Sequence, residues 1–271
     1  MMEKENISAE RALYLRKKRR KRLEITFFRV IILVVFLAFW ELGVRVGFID
    51  AFIMSSPSRI LRTLISVSES NLLTHIGITC LETLTGFLLG SIMGVIIAIG
   101  LWWNETVYRI SEPYLVVLNS LPKIALGPVI IIWVGAGQKA IIVMALAISL
   151  VVTVLEVLSG YASTDKQKIR MALSFGATKR IIFQKIVFPS NLATIFNSLK
   201  VSIGLSLVGV IAGEFLVSKG GLGYLIVYGG QVFKMDLVMA SVFILALMAL
   251  GMYKCVVLLE KTVLGAVSPR H

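Results

Sequence analysis

"RMALSFGATKRIIFQKIVFPS", residues 170–190, is a basic stretch set between the apolar runs 140–160 and 191–217. The fold turns on whether it belongs to a soluble unit or joins two membrane spans. Composition decides this: 57% of the 271 residues are hydrophobic, 16% are charged, and mean hydropathy is +0.89. Such a chain cannot cover itself with a water-compatible surface. A span needs roughly 20 mostly apolar residues, so the length holds several spans and little else. The expected class is an all-α membrane protein.

Working outward from the island, apolar segments lie at 25–44, 76–103, 108–134, 140–160, 191–217 and 237–259. These make about six transmembrane helices. They define a basic cytoplasmic tail, 1–24, and one transmembrane domain, 25–265. The island is a connection of about 162–190 between the fourth and fifth spans. An even number of spans puts both termini on one side. With the N-terminus inside, 19 Lys and Arg fall in inside segments and six in outside segments. This asymmetry favours a multi-pass protein with both termini cytoplasmic.

The formal charge of +13 owes much to "RKKRRKR" at 16–22, which taken alone would suit nucleic acid. Its position directly before the first span suits anionic headgroups instead, so the expected partner is membrane lipid and not nucleic acid. The run that follows exceeds a signal-peptide core of about 7 to 15 residues and has no clean small-x-small cleavage site, so it is expected to remain as the first span. Cys80 and Cys255 lie in apolar segments and suggest no disulfide framework.

Gly86, Gly90 and Gly94 recur every four residues in the second span, a pattern for close helix packing. The third span carries Pro113, Pro122 and Pro128, which free backbone groups and break helices. Such breaks fit either a kinked packing helix or a cavity wall.

Within the island, Asp165 suits a helix N-cap, Ile169, Ala172 and Leu173 share a face, and Gly176 suits a left-handed helix end. Thr178 can cap a second segment, "KRIIFQKIVF", which Pro189 is expected to stop. The outcome is a helix-turn-helix finger. A connection of about 30 residues is long for two neighbouring spans, and suits a docking element or an interfacial helix pair resting on headgroups.

At these residues the chain resembles the inner-membrane permease subunits of bacterial ATP-binding-cassette importers. That family's loop carries Glu-Ala-Ala, three residues, Gly, nine residues, then Ile-x-Leu-Pro. Here Ala172, Gly176, Ile186 and Pro189 match at those spacings, with Ala177 following the glycine. Arg170 and Met171 stand in place of the Glu and first Ala, and Phe188 in place of Leu. "SSPSRIL" (55–61), "LPKIALGPVIIIWVGAG" (121–137) and "AGEFLVSKGGLGYLI" (212–226) resemble, in order, the nitrate, sulfonate, taurine and thiamine-precursor branch.

The resemblance implies a type I importer permease fold in a bacterial inner membrane, with a coupling-helix loop. It implies a permease homodimer, a cytoplasmic ATPase and an extracytoplasmic binding protein. The loop would seat in a groove of the ATPase, Gly176 allowing close backbone approach. No cofactor is expected in this chain, because ATP would be bound by the partner.

Ionisable groups inside spans are costly, roughly 2.5 to 3.5 kcal/mol at a helix centre. Lys123, which follows Pro122, Glu156, Lys200 and Glu214 are therefore candidate pathway residues, with Glu82 nearer the outer surface. Lys123 suits an anionic substrate, or a carboxylate or carbonyl partner. Glu156 stands where relatives often carry Asn and Glu82 where they often carry Arg, which makes a sulfonate or nitrate less comfortable than a neutral or cationic heterocycle. Glu214 matches the acid that relatives carry ahead of Gly-Leu-Gly.

The chain has no glycine-rich phosphate loop, and only His75 and His271 as histidines, so neither ATP hydrolysis nor a histidine-rich metal site is expected. The leading expectation is a non-enzymatic transport subunit. A gradient-driven secondary transporter or channel, with Glu82, Glu156 and Glu214 as ion sites, is the alternative, although no inverted repeat is evident. A membrane-embedded enzyme ranks last, since no HExxH or comparable grouping occurs.

Overall fold

The structure, a computed structural model, describes residues 9–67 and 71–267. His271 and residues 1–8 of the basic tail lie outside the described residues. In chain order the helices are α1 Ala9–Arg45, α2 Ala51–Met54, α3 Pro57–Val67, α4 Leu72–Trp103, α5 Glu105–Ser120, a 3₁₀ turn Lys123–Leu126, α6 Gly127–Val134 and α7 Gln138–Ala162. There follow α8 Lys166–Ser174, α9 Lys179–Ile182, a π-helical turn Phe183–Val187, α10 Phe188–Ser190, α11 Leu192–Val217, α12 Leu222–Gln231 and α13 Met235–Val267.

Among the described residues, five helices are long and apolar enough to cross a membrane, and α5 with the 3₁₀–α6 segment, bent by 85° at their break, counts as a sixth when taken as one broken span. The break falls where Pro122 cannot continue the helix. Pro113, by contrast, is accommodated inside α5. Pro128 sits in the first turn of α6, where its missing N–H has no helical partner to lose.

Small residues build the centre. On α4, a Cβ at Gly86 would come within 2.5 Å of Ala145 Cβ, one at Gly94 within 2.7 Å of Thr153, and one at Gly90 would overlap the Ser149 hydroxyl. Two four-residue stripes thus meet, and α4 lies on α7 nearly backbone to backbone. From the other side, a Cβ at Gly209 of α11 would fall 2.6 Å from Ala145 Cα. Thr153 and Ser202 add a buried hydroxyl pair at 2.6 Å. Beyond this three-helix centre, α13 packs on α4 and α11 through Phe87, Ile203, Met252 and Val256.

From Ala9 onward, α1 runs through the basic tract and into the first apolar run as one helix. Apolar side chains such as Phe28, Leu33 and Phe39 stay exposed along α1. Its visible anchor is Glu41, which accepts from Ser58 N at 3.1 Å and Ser58 Oγ at 2.9 Å. α1 begins, and α13 ends, at the end of the bundle that carries the 163–191 connection. The helices α2, α3 and α12 lie at the opposite end, in segments that the hydropathy pattern leaves as connections.

Candidate functional site

The 163–191 connection is a finger of two short arms. Asp165 caps α8, its Oδ1 accepting from Gln167 N at 2.8 Å. At the far end Gly176 N donates to Leu173 O at 2.9 Å and Ala177 N to Ala172 O at 3.0 Å. That paired pattern closes a helix on a left-handed residue, and Gly176 has φ +75°. Within the chain, a Cβ at Gly176 would meet open space, so inside this chain only the left-handed turn calls for a glycine. Thr178 caps α9, with its Oγ1 3.5 Å from Ile181 N.

Pro189 does not end the second arm. The π-helical turn just before it widens the helix, and the chain runs on through α10 to Ser190. The wider turn lets both Ile182 and Val187 face inward, 4% and 0% exposed, whereas Ile186 is only half-buried. Asn191 closes the finger's base by donating from Nδ2 to Thr164 Oγ1 and Val187 O, both at 2.8 Å.

The tip is turned outward. Phe175 is 83% exposed, and Met171 and Leu173 are exposed beside it, as is Arg170. Ala172 and Ala177 instead pack against the core formed by Ala98, Val154, Val157 and Tyr161. An ordered, capped element with an apolar crest suits a partner groove.

At the opposite end lies a second polar cluster. Glu214 of α11 is buried; it accepts from Thr79 Oγ1 at 2.6 Å and from Gly223 N at 2.5 Å. Thr79 Oγ1 in turn accepts from Leu222 N at 2.8 Å, and His75 Nδ1 from Gly221 N at 2.9 Å. The first amides of α12 are thus satisfied by side chains from α4 and α11. A Cβ at Gly221 would overlap the Glu214 carboxyl, and one at Gly223 would lie 2.7 Å from its Oε2. The Gly-Leu-Gly stretch is the space into which Glu214 fits. Thr79 and His75 carry no sequence signal for this role, since their partners lie about 140 residues away.

Glu82 is wholly buried, with Glu214 and Gln138 as its polar neighbours, and among the described residues neither carboxyl oxygen makes a hydrogen bond of regular geometry. It borders a cavity of about 540 Å³ lined also by Gln138, Ser218 and Lys219.

The pathway candidates do not gather in one cavity. Lys123 follows the Pro122 break and donates to Asn119 O at 3.1 Å and Asn119 Oδ1 at 3.4 Å. Lys200 pairs with Glu260 at 2.6 Å. Glu156 borders a separate cleft with Ser159, Thr194 and Asn197. Glu214 is spent on α12. Among the described residues, no group of three His, Cys, Asp or Glu side chains is arranged to hold a metal ion.

A multi-span helical bundle, a broken span and a capped finger between spans define a multi-pass membrane protein with an ordered connection between two spans. The family model for binding-protein-dependent transport system inner membrane components matches residues 86–264, and the chain belongs to that family. It is 28% identical over 249 residues to the formylaminopyrimidine transport permease protein ThiX of Halalkalibacterium halodurans, covering 92% of this chain and 97% of that one. It is 22% identical to the taurine transport system permease protein TauC of Escherichia coli, covering 80% and 81%. Among solved structures, an inward-facing MetNI methionine ABC transporter chain matches with TM-score 0.62 at 18% identity, over 73% of this chain and 96% of that one. The fold is that of a type I importer permease. The chain is a multi-pass transport subunit of an ATP-binding-cassette importer, whose partners are an ATPase and a substrate-binding protein.

Proposed function

We propose that this chain forms the membrane pathway of an importer for a small heterocycle of the thiamine-precursor kind, and that its finger seats in the ATPase. The observation that carries the docking reading is the finger's exposed apolar crest, Met171, Leu173 and Phe175, on a turn fixed by Asp165 and Gly176. A segment resting only on headgroups has no need of so rigid a tip. ATP is bound by the partner, and this chain carries no cofactor. ATP-driven closure of the ATPase moves the finger and biases the permease between outward-open and inward-open states.

The substrate class follows from charge. Near the end opposite the finger lie two buried acids, Glu82 and Glu214, and among the described residues neither has a basic partner within ion-pair distance. The one lysine at the broken span, Lys123, is turned onto a carbonyl. Acids at these positions, buried though they are and with Lys219 on the Glu82 cavity, tip the balance from a sulfonate or nitrate towards a neutral or cationic ring. The similarity to ThiX supports the same class. The excess of basic residues at the finger end supports cytoplasmic termini, in a bacterial inner membrane. The permease pairs with a second copy of itself, and the exposed apolar faces of α1 and α5 are left to lipid or to that copy.

Two measurements test this. Tagged chain extracted in mild detergent from its host is expected to bring down an ATPase, and Gly176→Trp is expected to lose it while still inserting. A wild-type preparation without ATPase would favour a gradient-driven transporter. In uptake assays, labelled formylaminopyrimidine is expected to enter and taurine not; the reverse preference would overturn the substrate class.

A further inference from the structure

We propose that Lys179 is a positioning residue that fastens the finger to the cytoplasmic end of α4, so that movement of the finger reaches the α4–α5 turn directly. This rests on the reading of the finger as the ATPase's docking element. By chain connection alone, the finger hangs from α7 and α11. A link to α4 is a third attachment, and it leads towards the broken span.

Lys179 Nζ donates to Trp103 O at 2.7 Å and lies 5.3 Å from the centre of the Trp102 ring. Trp103 is the last residue of α4. Its carbonyl is among those a helix leaves without an internal partner, and that end of the helix carries partial negative charge. The indole face attracts the same ammonium. Three attractions therefore converge on one side chain.

Four residues on, Phe183 keys into the same place. Its ring centre is 5.0 Å from that of Trp102 and 5.9 Å from that of Trp103, both on α4. It is also 5.6 Å from Tyr161 on α7 and 6.0 Å from Phe188. Phe183 opens the π-helical turn, a departure from regular helix that is common at functional sites.

The contact is also where the two parts meet across open space. A crevice of about 560 Å³ separates the finger from α5, lined by Glu105, Tyr108, Arg109, Glu112 and Lys166 besides Lys179. The polar groups of α5 are spent on α5 itself: Arg109 bonds Glu105 at 2.6 Å and the Tyr108 hydroxyl bonds Glu112 at 2.9 Å. Of the polar side chains lining the crevice, Lys179 bonds α4, at the residue just before the turn into α5. That turn is stiff, because Asn104 Oδ1 accepts from Thr106 N at 3.0 Å and Val107 N at 3.2 Å. A displacement of Trp103 is therefore passed to α5 rather than absorbed.

An exposed lysine adds little to stability. Its removal is expected to leave the fold and the ATPase contact intact and to appear in the movement. The test uses the permease purified with its ATPase in lipid nanodiscs, with Cys80 and Cys255 replaced by alanine. Spin labels are placed at Thr106→Cys and Gln167→Cys, and labelled chain is diluted with unlabelled chain. With Lys179 present, the label separation is expected to remain one narrow distance, with or without ATP and vanadate, while a second label pair, Thr106→Cys with Lys234→Cys, changes its distance on adding ATP and vanadate. Lys179→Met is expected to lose the single distance under ATP and vanadate, Phe183→Leu to shift it the same way, and Lys179→Arg to restore it. A Lys179→Met protein that keeps the wild-type distance throughout overturns the proposal, as does a wild-type distance that changes with ATP. Absence of any ATPase from the wild-type preparation would instead count against the docking reading on which the proposal rests.

Discussion

Glu214 joins three elements from one side chain: it stands on α11, accepts from Thr79 of α4, and holds the first turn of α12 through Gly223 N. Gly221 is bound into the same arrangement, because its φ of +100° lies where L side chains are rare and its missing Cβ is the room the carboxyl occupies. Gly221→Ala is therefore expected to destabilise the protein by about 1 to 3 kcal/mol, read as a lower unfolding temperature in detergent. An unchanged temperature would mean that α12 is held by its apolar contacts alone. Glu82 is the opposite case, a buried acid facing another acid, with Gln138 as its other polar neighbour. Glu82→Gln replaces a buried acid with a neutral side chain that can donate an N–H to Glu214, so it is expected to raise the unfolding temperature, by about 1 kcal/mol of stability. A fall would show that the carboxyl at Glu82 is needed. None of this was legible in the sequence beyond the presence of costly acids, because the donors and the glycine cradle come from other helices.

At the scale of elements, the finger was largely legible because its signals are local. Asp165, Gly176 and Thr178 each act on a backbone group within a few residues, and the first arm and turn lie where those signals put them. Its second arm was less so: Pro189 reads as a stop, but a π-helical turn absorbs it, and that turn is held by Trp102, Trp103 and Tyr161, which belong to α4 and α7. The short helices α2, α3 and α12 escaped a hydropathy reading because each is too short to look like a span. The finger also offers a clean separation of two roles for Gly176. Asn tolerates the left-handed conformation better than other residues but adds a side chain, whereas Trp fails on both counts. If only the turn matters, Gly176→Asn is expected to keep the co-purifying ATPase and most uptake. If the ATPase also needs close approach at the tip, Gly176→Asn is expected to lose the ATPase as Gly176→Trp does, with expression and insertion unchanged. The open space around Gly176 within this chain makes the second outcome the expected one.

For the whole molecule, the proposed orientation, with both termini cytoplasmic, rests on the arrangement of helices taken together with the distribution of charge. The number of spans was legible from apolar length, and the bend of 85° in one of them only as a set of prolines. The structure gathers the start of α1, the α4–α5 turn, the finger and the end of α13 at one end of the bundle, and together these segments hold most of the Lys and Arg, the α4–α5 turn contributing Arg109 alone. At the other end Arg59 is already paired with Asp236 at 2.8 Å, which reduces the free positive charge there still further. Insertion that retains basic connections in the cytoplasm then fixes the whole bundle at once, because every span is tied to its neighbours. In a background without Cys80 and Cys255, Lys234→Cys is expected to react with a membrane-impermeant maleimide in intact cells, while Gln167→Cys is expected to react only after the membrane is opened. Both residues are exposed in the fold, so the difference reports the membrane and not burial. Labelling of Gln167→Cys in intact cells would reverse the orientation and with it the assignment of the finger to a cytoplasmic ATPase, whatever the apolar crest at Phe175 suggests.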